Sequence, residues 1–549
     1  MPAFHIGGRP HRHEAPAVRF SHLSLTLPMA GASVSAKAAT RPVTAPQSSA
    51  RSPLLLRLAG HPGDARALSG GGLDLTYAEL RARADRLAAA LAGGTSGLGG
   101  APVAFLCEPG PGHLAALLGI LRAGGLAVPL SPLHTRPELE YQVANAAPVT
   151  LLASAGLRGT LEAAAGGRPV ASLEEAGATA AGPPQGRAAA GEPPPLPQAG
   201  APAIMLYTSG TTGRPKGVRL SHEAVAATVA SLEGAWRWRA DDRLLHVLPL
   251  HHTHGLIVAA LGALWAGAEA RFATFDAGAA WDALGDGVSV FMAVPTIYAK
   301  LMEAFRGAPA EARARWAAGA ARLRLFTSGS AALPGSLLEE FRAATGQTIL
   351  ERYGMTEIGM ALSNPYDGPR VPGAVGTPLP GVAVDVVRDD GGPAPEGEPG
   401  ELRVRSTQMF SGYHGDEAAT AASFDEQGRF RTGDTGVRDE AGVVRLLGRT
   451  SVDIIKSGGY KISALEIEAA LREHPAIAEI AVVGEPDATW GERISACVVA
   501  RAGAALTLEE LQAFARERLA VYKVPRALRL LPALPRNAMG KVQKKQLLP

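Results

Sequence analysis

The sequence predicts an α/β fold, with a large N-terminal domain followed by a smaller α+β C-terminal lid. The 549 residues exceed the length at which a single hydrophobic core stops growing, so several domains or subdomains are expected. Through most of the chain, short apolar segments alternate with amphipathic ones, which is typical of α/β units. The pattern changes around Gly448-Arg449. We therefore predict an N-terminal domain over 53–448 and a lid over 449–549.

Residues 1–52 have a different composition from the rest of the chain. Between Met1 and Pro62 there are seven Lys or Arg residues and one acid, Glu14, and no apolar periodicity is sustained up to Ser52. This composition predicts an organellar transit peptide, with the mitochondrion favoured over the plastid. The alternatives are a disordered extension on a cytoplasmic protein and a true start at Met29.

The globular part is expected to begin at Leu54. Thr76 and Glu79 have the spacing of a capping box and predict a helix within Leu73–Leu91. Three α/β units follow from paired strand and helix patterns, and they cover Val103–Leu130, Val288–Arg306 and Leu323–Phe341. A further helix is predicted at Glu223–Leu232. The Ala-, Gly- and Pro-rich stretch Ala153–Gly200 predicts a loose insertion or linker.

The C-terminal third is predicted to contain two smaller units. Short strand patterns separated by Gly and Pro over Val371–Val404 predict a small β subdomain. The lid pattern gives two helices and two strands, at Ala464–Glu473, Thr507–Leu519, Ile477–Gly484 and Ser495–Arg501.

Overall composition excludes several classes of protein. The 54 basic and 51 acidic residues nearly balance, so no global charge favours nucleic acid. The two cysteines, Cys107 and Cys497, are too few for a disulfide framework or a zinc site. No uninterrupted apolar stretch reaches about 18 residues, which argues against a membrane-spanning helix. Oligomeric state is left open.

The segment Tyr207–Val218 has the sequence YTSGTTGRPKGV and follows an apolar run that predicts a buried strand. From Thr208 to Val218, eight of eleven residues are Ser, Thr, Gly or Lys. Such a loop offers backbone N–H groups, hydroxyls and the ammonium of Lys216 to phosphate oxygens. It is not the P-loop of nucleotide triphosphatases, because the GxxxxGK[ST] spacing is absent.

Other segments carry complementary chemistry. In Glu351–Glu357, with the sequence ERYGMTE, an aromatic ring beside Gly can stack on a purine, and Thr and Glu can meet a phosphate and its Mg²⁺. Asp434 and Arg449 can hold the hydroxyls of a ribose. His251, His252 and His254 match no metal-binding spacing, so we expect a structural or pocket-wall role for His254.

Together these motifs closely resemble the signature of the acyl-adenylate-forming superfamily, which includes acyl-CoA synthetases, luciferases and peptide-synthetase adenylation domains. The resemblance implies ATP, Mg²⁺ and CoA as cofactor and cosubstrates. It implies ATP-binding roles for Thr208, Ser209, Gly210, Thr211, Thr212, Gly213, Lys216, Ser330, Tyr353, Asp434 and Arg449. It implies that Thr356 lies near the α-phosphate and that Glu357 binds Mg²⁺.

The resemblance also extends to the lid. Lys541, in PRNAMGK, would be the catalytic lysine, and Gly458, Gly459 and Tyr460 would line the CoA channel after the lid rotates. The usual charged hinge residue is replaced by Ser451.

Several segments, among them VPTIYAK and ERYGMTE, more specifically resemble malonyl-CoA synthetases of the eukaryotic organellar kind. In those enzymes two cations clamp the distal carboxylate of the acid, and the matching residues here are Lys300 and Arg352, which we expect to form a buried pair. His254 is expected beside them. Since Lys is a point charge rather than a bidentate fork, methylmalonate is expected to be accepted as well.

The alternatives are a synthetase for another short- or medium-chain acid, an adenylation partner of a carrier protein, and a non-catalytic nucleotide sensor. Lys300 and Arg352 disfavour the first, and retention of Thr211, Glu357 and Lys541 disfavours the last. The sequence thus predicts a malonate–CoA ligase.

Overall fold

Four β-sheets with flanking helices make up the part of the chain that the computed structural model describes, which is residues 50–176, 178, 192–208, 215–457, 460–487, 489–536 and 542–548. The predicted α/β fold class is confirmed. None of the helices in these ranges is both long and apolar enough to cross a membrane.

The first sheet has seven strands and positions the Gly-rich loop. In spatial order its strands are Gly412–Tyr413, Lys216–Ser221, Pro202–Thr208, Leu126–Pro129, Pro102–Leu106, Thr150–Ala153 and Val170–Ser172. The five strands from Pro202–Thr208 onwards are parallel, and Pro202–Thr208 forms an antiparallel hairpin with Lys216–Ser221.

The second sheet has nine strands and positions the ERYGMTE motif. In spatial order they are Thr377–Pro378, Gly359–Ser363, Leu350–Met355, Leu325–Ser328, Val290–Ala293, Arg243–His246, Glu269–Phe272, Arg66–Ser69 and Leu75–Thr76. The central six, from Leu350–Met355 to Arg66–Ser69, are parallel. The carboxyl ends of parallel strands are where α/β folds place their ligand sites.

Helices cover the two sheets and follow the predicted units closely. The α-helices of the N-terminal part are Pro53–Ala59, Tyr77–Ala92, Pro111–Arg122, Arg136–Ala146, Arg158–Ala164, His222–Trp236, Gly262–Ala266, Ala277–Leu284, Pro295–Gly307, Ala310–Ala321, Gly335–Thr345 and Glu417–Ala422. The predicted capping box is confirmed, because Thr76 and Glu79 each accept a hydrogen bond from the other's backbone N–H. Residues His254–Leu261 form a π-helix rather than an α-helix. Short π-helical segments are frequent at functional sites.

The β subdomain and the lid form the two remaining sheets. The subdomain has the antiparallel strands Val382–Val387, Gly400–Ser406, Phe430–Arg438 and Val444–Arg449. The lid sheet has the strands Tyr460–Ser463, Ile454–Ser457, Gly491–Ala500, Ile477–Asp487 and Ala527–Leu530, with the helices Ala464–Leu471 and Leu508–Arg516. The lid has its own apolar core, which includes Ile467, Val482 and Leu511.

The prediction of a loose linker over Ala153–Gly200 is wrong in its first part. Residues Arg158–Ala164 form a helix that buries Leu161 and Ala164, and Val170–Ser172 is the edge strand of the seven-stranded sheet. The Ala- and Gly-rich composition conceals a short helix that is stabilised by tertiary packing rather than by its own propensity.

The N-terminal boundary lies close to the predicted start of the globular part. Ser52 is fully buried, and its backbone N–H donates to Pro197 O at 2.8 Å. Its hydroxyl accepts a hydrogen bond from the backbone of Leu55 and lies 3.0 Å from Nδ1 of His222. The predicted transit peptide falls almost wholly on residues 1–49, outside the described ranges.

Candidate active site

The Gly-rich loop joins the two strands of a hairpin at the edge of the parallel strands. Thr208 and Lys216 lie opposite each other in the register of that hairpin. The predicted ATP-binding residues Ser209, Gly210, Thr211, Thr212 and Gly213 lie outside the described residues. Nζ of Lys216 is 4.7 Å from the ring centre of Tyr413 and 3.9 Å from the carboxylate of Asp416. The ammonium therefore lies at the base of the loop.

Glu357 connects this corner with the ERYGMTE motif. The hydroxyl of Tyr413 donates to Oε1 of Glu357 at 3.1 Å. Burial raises the pKa of Glu357 above its ordinary value. A buried carboxylate with a raised pKa gains from a nearby cation, and Mg²⁺ in nucleotide sites is held by one or two carboxylates together with substrate phosphates. Glu357 fits this requirement.

Thr356, the predicted α-phosphate residue, lies in the turn after the strand Leu350–Met355 and is contacted by a distant segment. The hydroxyl of Thr253 donates to Oγ1 of Thr356 at 2.9 Å. Because the Thr356 oxygen accepts this bond, its own O–H is available to donate to another group. Thr253 immediately precedes the π-helix His254–Leu261, so Thr356 is connected to the segment that carries His254.

Tyr353, Asp434 and Arg449 form a direct chain of polar contacts. The hydroxyl of Tyr353 donates to Oδ2 of Asp434 at 2.5 Å, and Nε of Arg449 lies 2.9 Å from Oδ1 of the same carboxylate. Burial and the charge of Asp434 raise the pKa of Tyr353 well above its ordinary value. Asp434 and Arg449 are cross-strand neighbours in the β subdomain. The structure thus brings the predicted ribose ligands to the predicted adenine-side residue.

Arg352 is buried on the strand Leu350–Met355, which also carries Tyr353, and 5% of its surface is exposed. Its Nε and Nη2 atoms are buried without a hydrogen-bond partner. Burial lowers the pKa of this guanidinium to about 10, so it remains charged at neutral pH. Within the described ranges no carboxylate pairs with Arg352, so its buried charge is not neutralised by an acidic side chain there.

His254 lies near enough to Arg352 for the charge of the guanidinium to affect it. Burial, and then the positive charge of Arg352, lower the pKa of His254 well below its ordinary value, so the imidazole is neutral. Its Nδ1 is 3.4 Å from Oγ of Ser330, and its Nε2 is buried without a partner. Ser330 adopts a left-handed conformation with φ of 68°. Non-glycine residues with this conformation cluster at functional sites.

Lys300 does not share this burial, and the prediction of two buried cations is wrong in that respect. It lies in the second turn of the helix Pro295–Gly307 and is exposed. The buried residues of this helix include Tyr298, Leu301 and Met302, which form the opposite face. The helical period therefore directs Lys300 away from the core.

The other two histidines of the HHTHG segment form an aromatic cluster. The ring centres of His251 and His252 are 4.1 Å apart, and His134 lies 5.4 Å from His251. Burial and the neighbouring imidazoles lower the pKa of His251 to about 2 and that of His252 to about 4. Among the described residues, no group of three or more His, Cys, Asp or Glu side chains is arranged to hold a metal ion.

On the lid, the predicted functional residues are only partly described. Gly458, Gly459 and Lys541 lie outside the described ranges. Tyr460 is 54% exposed, and its ring stacks on Tyr522 with the centres 4.4 Å apart. Its role at a CoA channel stays a prediction.

Sequence reasoning missed three residues of the site. Thr253 contacts Thr356, Tyr413 contacts both Lys216 and Glu357, and Gly329 lies against Arg352. Thr253 directly precedes His254 and Gly329 directly precedes Ser330, both of which were predicted site residues. Tyr413 has no local signal, because its partners come from distant parts of the chain.

Comparison with known proteins agrees with this geometry. The family model for AMP-binding enzymes matches residues 56–414, and that for the AMP-binding enzyme C-terminal domain matches residues 466–541. The chain is 41% identical over 511 residues to malonate–CoA ligase ACSF3, mitochondrial, of Homo sapiens, covering 86% of this chain and 88% of that protein.

Two solved structures are similar along nearly their whole length. ATP-bound MatB from Rhodopseudomonas palustris is 37% identical, with a TM-score of 0.80 and coverage of 90% of this chain and 98% of that one. A malonyl-CoA ligase ternary product complex with methylmalonyl-CoA and AMP is 39% identical, with a TM-score of 0.64 and coverage of 87% and 99%. Since both the family models and these relatives match most of the chain, it belongs to the family of AMP-binding enzymes.

Proposed function

We propose that this chain is an ATP-dependent malonate–CoA ligase. A malonate oxygen attacks the α-phosphorus of ATP, which forms malonyl-AMP and releases pyrophosphate. The thiolate sulfur of CoA then attacks the acyl carbon, which forms malonyl-CoA and releases AMP. The thiol proton passes to solvent.

The observation that carries the proposal is the buried, unpaired guanidinium of Arg352. Two of its nitrogens have no partner, and the adjacent imidazole of His254 has a free, buried Nε2. A guanidinium presents N–H donors in a fork that matches a carboxylate, and a neutral imidazole can donate one more hydrogen bond. The pair suits the distal carboxylate of a short dicarboxylic acid.

This arrangement favours malonate over a monocarboxylic acid of similar size. Acetate or butyrate would leave Arg352 buried without a counter-charge, and an uncompensated buried charge costs roughly 3–5 kcal/mol. Sites that hydrogen-bond one substrate group reject analogues without it by about 10⁴–10⁵-fold. The name of the human relative and the product bound to the ternary complex also support malonate, with methylmalonate as a second substrate.

For the first step, the residues contribute separate parts of the nucleotide site. The Gly-rich loop with Lys216 would hold the phosphates, Tyr353 would stack on adenine, and Asp434 would accept the ribose hydroxyls. Thr356 would donate to the α-phosphate, and Glu357 would bind the Mg²⁺ that neutralises phosphate charge. Lys541 would stabilise the transition state, and a preorganised donor of this kind is worth roughly 10²–10³ in rate.

For the second step, we propose that residues 449–549 rotate as a lid. The rotation would withdraw Lys541 and bring Gly458, Gly459 and Tyr460 to the CoA channel. A Lys541→Ala variant should then lose pyrophosphate release but retain thioester formation from supplied malonyl-AMP. A Gly459→Leu variant should do the reverse. If both variants lose the same half-reaction, the rotating-lid assignment is wrong.

We also propose that the protein works in mitochondria. The acid-poor composition before Ser52 and the mitochondrial name of the human relative support this location. A fluorescent fusion of the full chain should colocalise with a mitochondrial marker, whereas a fusion that begins at Ala50 should not. Keeping Ala50 preserves Ser52, which caps the first helix. Import of the shortened fusion would contradict the proposal.

The substrate assignment is tested with a panel of acids. Pyrophosphate release is measured with malonate, methylmalonate, succinate, acetate, propionate and butyrate, each with and without CoA. We expect malonate to have the highest kcat/KM, by at least about 10³-fold over butyrate. Comparable use of butyrate and malonate would reject the dicarboxylate assignment in favour of a general short-chain acyl-CoA synthetase.

A further inference from the structure

A buried charge cluster ties the last described segment of the chain to the start of the lid. Nζ of Lys544 lies 2.6 Å from Oδ1 of Asp453 and 2.6 Å from Oε1 of Glu468. The three side chains are 10%, 11% and 7% exposed. Although burial opposes it, the charges of Glu468 and Asp453 raise the pKa of Lys544. The ammonium therefore stays charged between two carboxylates.

Asp453 connects this cluster with the end of the β subdomain. Its Oδ2 accepts a hydrogen bond from the backbone N–H of Arg449 at 2.9 Å, and its own N–H donates to Arg449 O at 2.7 Å. Gly448 has a φ of 124°, and a Cβ at this position would overlap the Cβ of Asp453. The turn from Arg449 to Asp453 is thus closed by the same carboxylate that binds Lys544.

The side chain of Arg449 extends the network to the nucleotide residues. Its Nε lies 2.9 Å from Oδ1 of Asp434, and Oδ2 of Asp434 accepts from the Tyr353 hydroxyl at 2.5 Å. Lys544, Asp453, Arg449, Asp434 and Tyr353 therefore form one continuous path. It runs from the C-terminal segment to the ERYGMTE motif.

We infer that Lys544 and Asp453 are positioning residues for the nucleotide, which keep the guanidinium of Arg449 on Asp434. The inference rests on the proposed role of Asp434 and Arg449 as ribose ligands. If the ammonium of Lys544 is removed, the carboxylates of Asp453 and Glu468 face each other with no cation between them. Glu468 is also held by the backbone N–H of Val482 at 2.7 Å. Asp453 lies on a turn, so we expect it to shift away from Glu468 and to shift with it Arg449, whose backbone N–H donates to it.

The first test is AMP affinity, measured by calorimetric titration of the full chain, together with the KM for ATP. Lys544→Met should weaken AMP binding by about 10-fold, which corresponds to about 1.4 kcal/mol. The control is Lys545→Met, which removes the same charge from the neighbouring, exposed residue. It should bind AMP as wild type does. Equal AMP affinity for the two variants would overturn the inference.

A second variant separates positioning from a general loss of lid structure. Glu468→Gln in the Lys544→Met background removes the repulsion on Asp453, so AMP affinity should recover to within about threefold of wild type without reaching it. No recovery would overturn the inference, because a packing defect at residue 544 is not repaired by changing one carboxylate. If the single variant does not fold, the double variant carries the test alone, and an AMP affinity about 10-fold or more below wild type would overturn the inference.

AMP titration involves no acid substrate. A failure of the malonate assignment therefore leaves this experiment valid, and a failure here leaves the malonate assignment untouched.

Discussion

Gly329 lies so close to Arg352 that a Cβ at residue 329 would be 2.5 Å from Cζ of the guanidinium. Gly329 directly follows the strand Leu325–Ser328, and Arg352 lies on the neighbouring strand, where Ser328 pairs with Glu351. The backbone of residue 329 is therefore one wall of the space that the guanidinium occupies. Any side chain at 329 must displace Arg352.

The first prediction follows from this contact. Gly329→Ala should lower kcat/KM for malonate by about 10²-fold, because a small misplacement of a binding group has effects of that size. AMP affinity should change little, since the methyl group faces Arg352 rather than the ribose residues. The measurements are the specificity constant for malonate and the Kd for AMP.

Gly335→Ala is the matched control for this substitution. Gly335 begins the helix Gly335–Thr345, and a Cβ there would meet no atom within 4 Å. This variant should retain wild-type activity. If Gly329→Ala also retains full malonate activity, the assignment of Arg352 to the substrate carboxylate loses its geometric support.

The second prediction compares Arg352 and Lys300, the two cations that the sequence resemblance assigned to the distal carboxylate. Arg352→Leu should lose malonate activity by about 10⁴-fold, because the buried partner of the distal carboxylate is removed. Lys300→Leu should lose less than about threefold, since Lys300 is exposed and exposed charges contribute little. The specificity constants for malonate and butyrate are measured for both variants. A loss with Lys300→Leu as large as with Arg352→Leu would show that the lysine reaches the substrate from the surface.

These two cations illustrate what the sequence could predict and what it could not. Local signals were sufficient for the capping box of Thr76 and Glu79. The burial of Lys300 was misjudged, because its place in the helix depends on Tyr298 and Leu301 packing against the core.

Contacts between distant segments were beyond reach of local patterns. Gly329 and Arg352 meet because neighbouring parallel strands place their ends together, and Tyr413 meets Glu357 across two sheets. Similarly, the helix Arg158–Ala164 is too short and too rich in Ala and Gly to be distinguished from a linker by composition. In each case contacts with residues far away in the sequence determine the structure that the segment adopts.

The third prediction concerns Thr253, whose hydroxyl donates to Thr356 at 2.9 Å. Thr253→Val preserves the shape of the side chain but removes the donor, so Thr356 is no longer oriented towards the α-phosphate. The rate of malonyl-AMP formation should fall by about 10-fold, consistent with about 1.4 kcal/mol for one hydrogen bond. Thioester formation from supplied malonyl-AMP should be slowed less. Equal slowing of both half-reactions would contradict a role specific to adenylation.

The fourth prediction concerns pH and Glu351, which is buried with 7% of its surface exposed. Its Oε1 accepts a hydrogen bond from the backbone of Gly373 at 3.0 Å. Burial nevertheless raises its pKa from 4.5 to about 7. Between these two values the unfolded chain has lost the proton and the folded protein has kept it. The unfolding free energy therefore falls as pH rises through this window, by about 3 kcal/mol in total, and then stays lower.

The Gln side chain of the Glu351→Gln variant has no titratable proton, so this variant lacks the fall in unfolding free energy between these pH values. Relative to wild type, the variant should gain thermal stability as pH rises from 5 to about 7 and should keep that gain up to pH 8. The melting temperatures of both proteins are measured at each pH, and Glu303→Gln, on the exposed face of the helix Pro295–Gly307, is the control. A difference between Glu351→Gln and wild type that stays constant over this range would show that Glu351 titrates normally. The pKa of about 7 for this carboxyl would then be wrong.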